Sequence, residues 1–401
     1  MLGTVCTTNN PVQEGKDVCT QKAYLQRTVC IVCNHTQFET INSFPNFPIM
    51  AISNDSIQEQ VYDFTILACT HCNCLQIQNC IDPSILYSDV YMNSYFSPSW
   101  KDHHRFFAKF VLEHTSASSF LEIGANRGEL YTWLSNERDI HYTTLDMFQH
   151  PELPSPIQFV HGNWESFSFD GFHTILASHV FEHLYSPRTC IENLQKANVS
   201  EIFLSIPNFE QLLYEQSPIV INSQHTFYCG VSYIVYMFSL FKYTCAKHVS
   251  YKGNLPSNMF HFVLDKDTHT TELPSTNVQL YKDVYVRNID RIQMLQIPKN
   301  CYIAPSGIYG QFLYFFLHTT QKEHIVGFVD NNPERHRKVL YGTDKRVYSP
   351  SKIDIRNVAV LVCDCAYTQE IIKGLRNICE TVRLYVLPNQ TSTISTVEEI
   401  S

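Results

Sequence analysis

Residues 118–134 read SSFLEIGANRGELYTWL, and their order decides the fold. A short apolar run ending at Ile123 is followed by a turn flanked by Gly124 and Gly128, and then by apolar residues at helical spacing. A strand, a tight turn and a helix in that order form the opening βα unit of a doubly wound sheet. Glycines at both ends of the turn let the backbone bend sharply and let a ligand approach without meeting a Cβ.

Working outward, HYTTLDMF (141–148) reads as a second strand ending in Asp146. It lies about 20 residues past the loop, where an acidic side chain can accept hydrogen bonds from ribose hydroxyls. Glycine loop and acid together point to a ligand that contains adenosine. The alternation continues through IQFVHGNW (157–164), FHTILASHVFEHL (172–184), whose apolar part is the central strand, a helix from Pro187, and EIFLSIPN (201–208). Strand-like runs separated by helices specify an α/β sheet.

Upstream the chemistry changes. Two CxxC pairs, Cys30/Cys33 in TVCIVCNH and Cys69/Cys72 in LACTHCNCL, stand out among 15 cysteines. Zinc accepts four thiolates in a tetrahedron, each CxxC turn supplies two, and no position then remains for water or substrate. A structural zinc site is expected, with Cys74, Cys80, His35 and His71 as possible substitute ligands. Between this module and the glycine loop, DVYMNSYFSPSWKDHHRFFAKF (89–110) is a Tyr/Ser-rich connector running into an amphipathic helix.

Downstream, DKDTHTTELPSTN (265–277) is a polar break before a second alternating pattern. CYIAPSGIYGQFLYFFL (301–317) is a strand, a turn with Gly307 and Gly310, and a helix. HIVGFVDNNP ends a strand at Asp330, and VAVLVCD and RLYVLP are further strands. The full GxGxxG fingerprint is absent, which argues against a dehydrogenase.

Composition sets the outer limits. The chain has 401 residues, 44% apolar and 17% charged, with a net charge of −9. That is long enough for two or three domains and the wrong sign for a protein that grips nucleic acid backbone. No stretch approaches the roughly 20 apolar residues that span a bilayer, and MLGTVCTTNN lacks the regions of a signal peptide. A cytoplasmic protein without a membrane or nucleic acid partner is expected.

The FLEIGANRGELY loop, Asp146, VFEHL and LSIPN resemble the motifs of class I S-adenosylmethionine-dependent methyltransferases. The order of parts resembles the zinc-containing sugar C-methyltransferases of deoxysugar biosynthesis: a two-CxxC module, a Tyr/Ser-rich connector, a methyltransferase core, QHTFY and a second Rossmann-like unit. The resemblance covers almost the whole chain. It implies a zinc module at 1–85, an S-adenosylmethionine-binding Rossmann-like core at 86–264 and a Rossmann-like substrate-binding unit at 265–401. Glu122, Gly124, Asn126 and Gly128 would surround the methionine part of the cofactor, and Asp146 with Met147 the ribose. Asn163 and Trp164 would lie beside adenine, and His179 would face the methyl region.

The resemblance further implies a catalytic group of His225, as the base, with His183 and Gln224. Tyr91, Tyr95, Asn222, Tyr228, Gly307 and Asp330 would meet a nucleotide-linked keto-deoxysugar. The family commonly carries a tyrosine and a glutamate where this chain has Asn222 and Gln224. An amide cannot act as a base, so O-methylation of a sugar hydroxyl, or methylation of another small acceptor, stands as the alternative to C-methylation. A non-catalytic scaffold is the third reading.

Overall fold

The computed structural model describes residues 19–20, 24–49, 60–86, 98–214, 222, 224–363, 365, 367–386 and 398–400. Its central sheet is built from β1 (Ser119–Ile123), β2 (His141–Asp146), β3 (Gln158–His161), β4 (Thr174–Ser178), β5 (Glu201–Pro207), β6 (Tyr243–Tyr251) and β7 (Ser257–Leu264). The spatial order is β6-β7-β5-β4-β1-β2-β3. Strands β1 to β5 run parallel, and β7 is antiparallel to both β5 and β6. This is the class I methyltransferase fold, a Rossmann-like sheet closed by an antiparallel hairpin. The five expected strands are all in it. The β6–β7 hairpin is an addition that periodicity did not announce, because β7 (SNMFHFVL) is buried on both faces for most of its length and shows no alternation.

The strand order reverses between β1 and β4, which opens a crevice at the carboxyl ends of these strands. Both strands are almost wholly buried there, and helix Pro98–His114 packs on the same sheet through Phe107, Phe110 and Val111.

Beside this core, Phe38–Pro48 pairs antiparallel with Gln60–Cys69, which pairs with Leu75–Ile77. Leu75–Ile77 in turn pairs with Phe227–Tyr228, from the segment that contains QHTFY. The C-terminal sheet has the order Val347–Tyr348, Ile325–Val329, Cys301–Ala304, Ala359–Val362, Arg383–Val386 and Glu398–Ile400, parallel except for the last strand. One apolar core runs from the N-terminal sheet to this unit: Phe44 and Phe47 pack against Phe316 and Phe315 of helix Ile308–Phe316. No helix among the described residues is long and apolar enough to cross a membrane.

Candidate functional site

The glycine loop leaves β1 at the switch point. Gly124 and Gly128 have φ of 68° and 71°, a left-handed region that favours glycine. A Cβ would come within 2.7 Å of Val180 at Gly124 and 2.5 Å of Ile157 at Gly128, so a side chain at either position would have to displace its neighbour. Asn126 shares the left-handed conformation, with φ of 49°. The backbone N–H of Gly124 donates to the Leu145 carbonyl at 2.9 Å, joining the loop to the end of β2. There Asp146 accepts from the Phe148 amide at 3.2 Å. Burial raises the Asp146 carboxyl above its ordinary range, and Met147 is half-buried beside it.

Three of the cofactor candidates are already committed within the protein. Glu122 is buried and accepts a hydrogen bond of 2.7 Å from Tyr142, while burial pushes its carboxyl up to about 8. Asn163 caps a short 3-10 turn by accepting from the Glu165 amide at 2.9 Å. Trp164 packs in the core against Phe181. Tyr91 and Tyr95 lie outside the described residues.

Past Gly124 and Val180 the loop abuts a cluster of histidines. His179 directly follows β4 with φ of 54°, and a 3-10 turn, Phe181–His183, comes next. Nδ1 of His179 comes to 3.5 Å from Oε1 of Glu182, the middle residue of that turn. Nε2 of His183 and Nε2 of His225 each lie 4.0 Å from the same oxygen. The segment carrying His225 is held there by backbone: the Thr226 amide donates to the Glu182 carbonyl, and the Ile77 amide to the Thr226 carbonyl. Side chains complete the seat. Asn222 Nδ2 meets His225 Nε2 at 3.0 Å, Asn222 Oδ1 accepts from the Gln224 amide at 3.0 Å, and Tyr228 donates to the Asn222 carbonyl at 2.6 Å.

Glu182 is the residue that sequence reading did not single out, although VFEHL contains it. Its side chain is 6% exposed, and among the described residues neither oxygen accepts a hydrogen bond. Burial works to raise its carboxyl, but His179, His183 and His225 outweigh burial and hold it down to about 2. Burial lowers His183, and lowers His225 to about 3.

Trp100 and His103, from the connector helix, line the same region. Their rings sit 5.0 and 4.8 Å from His179, and His103 Nε2 meets Ser205 Oγ at 2.9 Å. The Trp100 indole donates to Tyr367 of the C-terminal unit, and Tyr367 packs edge-on to Tyr309, two residues past Gly307. Gly307 has φ of 96° and lies under the Arg335 guanidinium. Asp330 is occupied: its carboxylate accepts from Ser306, Asn332 and Arg335.

Away from the crevice the four expected cysteines converge. Cys30, Cys33, Cys69 and Cys72 place their sulfurs within 4.8 Å of one another, with Cys30–Cys72 at 3.6 Å and Cys33–Cys69 at 3.5 Å. Tetrahedral zinc with bonds of about 2.3 Å needs sulfurs about 3.8 Å apart, so the donor set fits that ion. The Val32 amide points at the Cys30 sulfur at 3.5 Å, and left-handed Asn34 and Asn73 close the two turns. Burial pushes the Cys33 thiol up to about 12. Cys74 pairs with Cys229 at 3.4 Å and Cys80 meets Arg27, while His35 and His71 pack on each other.

No family model and no curated protein matches the chain. Among solved structures, it is similar to the Burkholderia thailandensis 1,6-didemethyltoxoflavin N1-methyltransferase, at 12% identity over 49% of this chain and 97% of that one, with a TM-score of 0.36. It is also similar to the NodS N-methyltransferase of Bradyrhizobium japonicum, at 16% identity over 44% and 93% of the two chains, TM-score 0.34. The Synechocystis magnesium protoporphyrin IX methyltransferase gives 11%, 43%, 90% and 0.34. These are likenesses of fold at low identity.

Proposed function

We propose that the protein is an enzyme that transfers a methyl group from S-adenosylmethionine to a small acceptor, a nucleotide-linked keto-deoxysugar. One observation carries the reading: the left-handed glycine turn and Asp146 stand at the ends of neighbouring strands at the switch point, and Val180, which Gly124 packs against, follows His179 of the histidine cluster. Bound there, the cofactor would supply an electrophilic methyl on a sulfonium. Asp146 would accept hydrogen bonds from ribose hydroxyls, and the glycine loop would admit the methionine backbone. Trp164 and Asn163, committed to packing and capping, would shape the adenine side from beneath rather than by direct bonds.

His225 takes the acceptor proton, His183 and Asn222 hold the ring in place, and Gln224 orients the acceptor oxygen. In-line displacement requires the acceptor atom to be held close to the methyl with its proton removed. The sugar assignment is supported by the order of parts and by the way Trp100 and Tyr367 bring the C-terminal unit to the mouth of the crevice. The four cysteines hold a structural zinc. Gln224 in place of a carboxylate favours O-methylation as a second reading.

The test is calorimetry with S-adenosylhomocysteine, followed by mass spectrometry of products from labelled cofactor and a panel of nucleotide sugars. Binding and a methylated sugar support the reading. Binding of NAD and not of S-adenosylhomocysteine overturns it. Solvent deuterium entering the carbon beside a ketone marks C-methylation through an enolate, and a methyl ether marks the O-methyl alternative.

A further inference from the structure

Two thiols that neither the zinc set nor the histidine site uses face each other across the strands that seat His225. Leu75–Ile77 and Phe227–Tyr228 pair antiparallel, with Gln76 opposite Phe227 and Leu75 opposite Tyr228. Continued by one residue, that register sets Cys74 opposite Cys229, and their sulfurs stand 3.4 Å apart. Hydrogen-bonded and non-hydrogen-bonded pairs alternate along such a ladder. The Ile77 amide donates to the Thr226 carbonyl, so 77 and 226 share a hydrogen-bonded position and 74 and 229 a non-hydrogen-bonded one. Cα atoms at a non-hydrogen-bonded pair stand about 4.5 Å apart, within the span of about 4.4–6.8 Å that a disulfide bridges.

Both cysteines are free thiols, and among the described residues neither joins a group of three or more ligands able to hold a metal ion. Cys74 is wholly buried and Cys229 is 5% exposed, which excludes a bulky disulfide as oxidant and leaves a small uncharged one.

We propose that Cys74 and Cys229 are a redox pair, closed by hydrogen peroxide to a disulfide that displaces the segment seating His225. The Cys229 sulfur, the more exposed of the two, attacks one peroxide oxygen. The O–O bond breaks, and the leaving hydroxide takes up the thiol proton as water. The Cys74 sulfur then attacks the sulfur of the resulting sulfenic acid, the S–O bond breaks, and a second water leaves with the Cys74 proton. Two thiols thus lose two electrons as one peroxide becomes two waters. The sulfurs close from 3.4 Å to about 2.05 Å, a movement that a close-packed interior passes on to its neighbours. Cys74 is tied back by the Cys69 amide, which donates to its carbonyl at 3.0 Å, so Cys229 is the side that yields. Next to it, Tyr228 donates to the Asn222 carbonyl, and Asn222 meets His225. On the methyltransferase reading above, oxidation therefore slows turnover by moving the base and leaves the cofactor loop untouched.

In the experiment, the full chain purified without chelator is treated with hydrogen peroxide and its remaining thiols are blocked. Unreduced peptides are then mapped by mass spectrometry beside an elemental count of zinc. A peptide linking 74 to 229 should appear with zinc unchanged, and the His225 ring signals in ¹⁵N NMR should shift. Turnover of the nucleotide sugar methylated in the panel should fall severalfold. Dithiothreitol should reverse all three changes, and Cys229→Ala should show none of them. Absence of the 74–229 link overturns the proposal, as does a link among Cys30, Cys33, Cys69 and Cys72 with loss of zinc. A link that leaves the His225 signals or turnover unmoved overturns the control of the site. If Cys229→Ala does not fold, wild-type signals that stay shifted after the link is reduced overturn it equally. Failure of S-adenosylhomocysteine to bind the untreated chain instead overturns the methyltransferase reading, and mapping with NMR still decides the disulfide.

Discussion

Trp100 donates its indole hydrogen to the hydroxyl of Tyr367 at 2.9 Å, and through that bond the C-terminal unit touches the ring cluster that includes His179. The connector helix therefore does two things at once. It covers the central sheet with Phe107 and Phe110 and presents Trp100 between the two Rossmann-like units. Replacing Tyr367 with Phe should remove one partly buried hydrogen bond and cost about 1 kcal/mol of stability, measured by denaturant unfolding. If the C-terminal unit binds the acceptor, as proposed, S-adenosylhomocysteine affinity should stay the same.

The glycine loop makes a sharper test of the cofactor site. A methyl at residue 128 would collide with Ile157 and sit at a φ that side chains avoid. Gly128→Ala should destabilise the chain by about 1–3 kcal/mol and weaken S-adenosylhomocysteine at least tenfold in calorimetry. Asp146→Ala should weaken the same ligand by about 1–3 kcal/mol through lost charge-assisted bonds, with the fold retained.

For the four-sulfur cluster, elemental analysis of protein purified without chelator should find about one zinc per chain. Cys33→Ser should lose most of it and lower the thermal midpoint. A wild-type protein free of zinc would contradict the assignment.

Glu122 supplies a pH prediction with a definite sign. Its folded carboxyl sits near 8, above its ordinary value of 4.5, so the native state binds the proton more tightly than the unfolded chain. Between those values stability falls as pH rises. Relative to Glu122→Gln, the wild type should thus lose up to a few kcal/mol from about pH 5 to pH 8, read from denaturant melts across that range.

His225→Ala should lower kcat by on the order of 10²–10⁴ and leave cofactor affinity nearly unchanged, since a general base acts on the transition state. Full turnover in that variant on the true acceptor would remove His225 from the mechanism.

Much of this protein was legible in its sequence because the signals are local. A strand, a glycine turn and a helix follow one another in FLEIGANRGELY, and steric exclusion of a Cβ at Gly124 and Gly128 is a property of that loop. The CxxC turns likewise carry their own geometry, so Cys30, Cys33, Cys69 and Cys72 could be paired from spacing. Other features depended on distant chain. Trp164 could be read as an adenine contact or as core, and only its packing on Phe181 placed it inside. Spacing marks Asp330 as the acid at a strand end, and tertiary structure alone brings Ser306, Asn332 and Arg335 to its carboxylate. Glu182 stands about 40 residues earlier in the chain than His225, and the backbone bond from the Thr226 amide to the Glu182 carbonyl brings the two side by side. Spacing can specify a turn, because neighbouring residues share a backbone. A buried cluster is decided by tertiary structure, because its charges become neighbours only when the sheet brings their segments together.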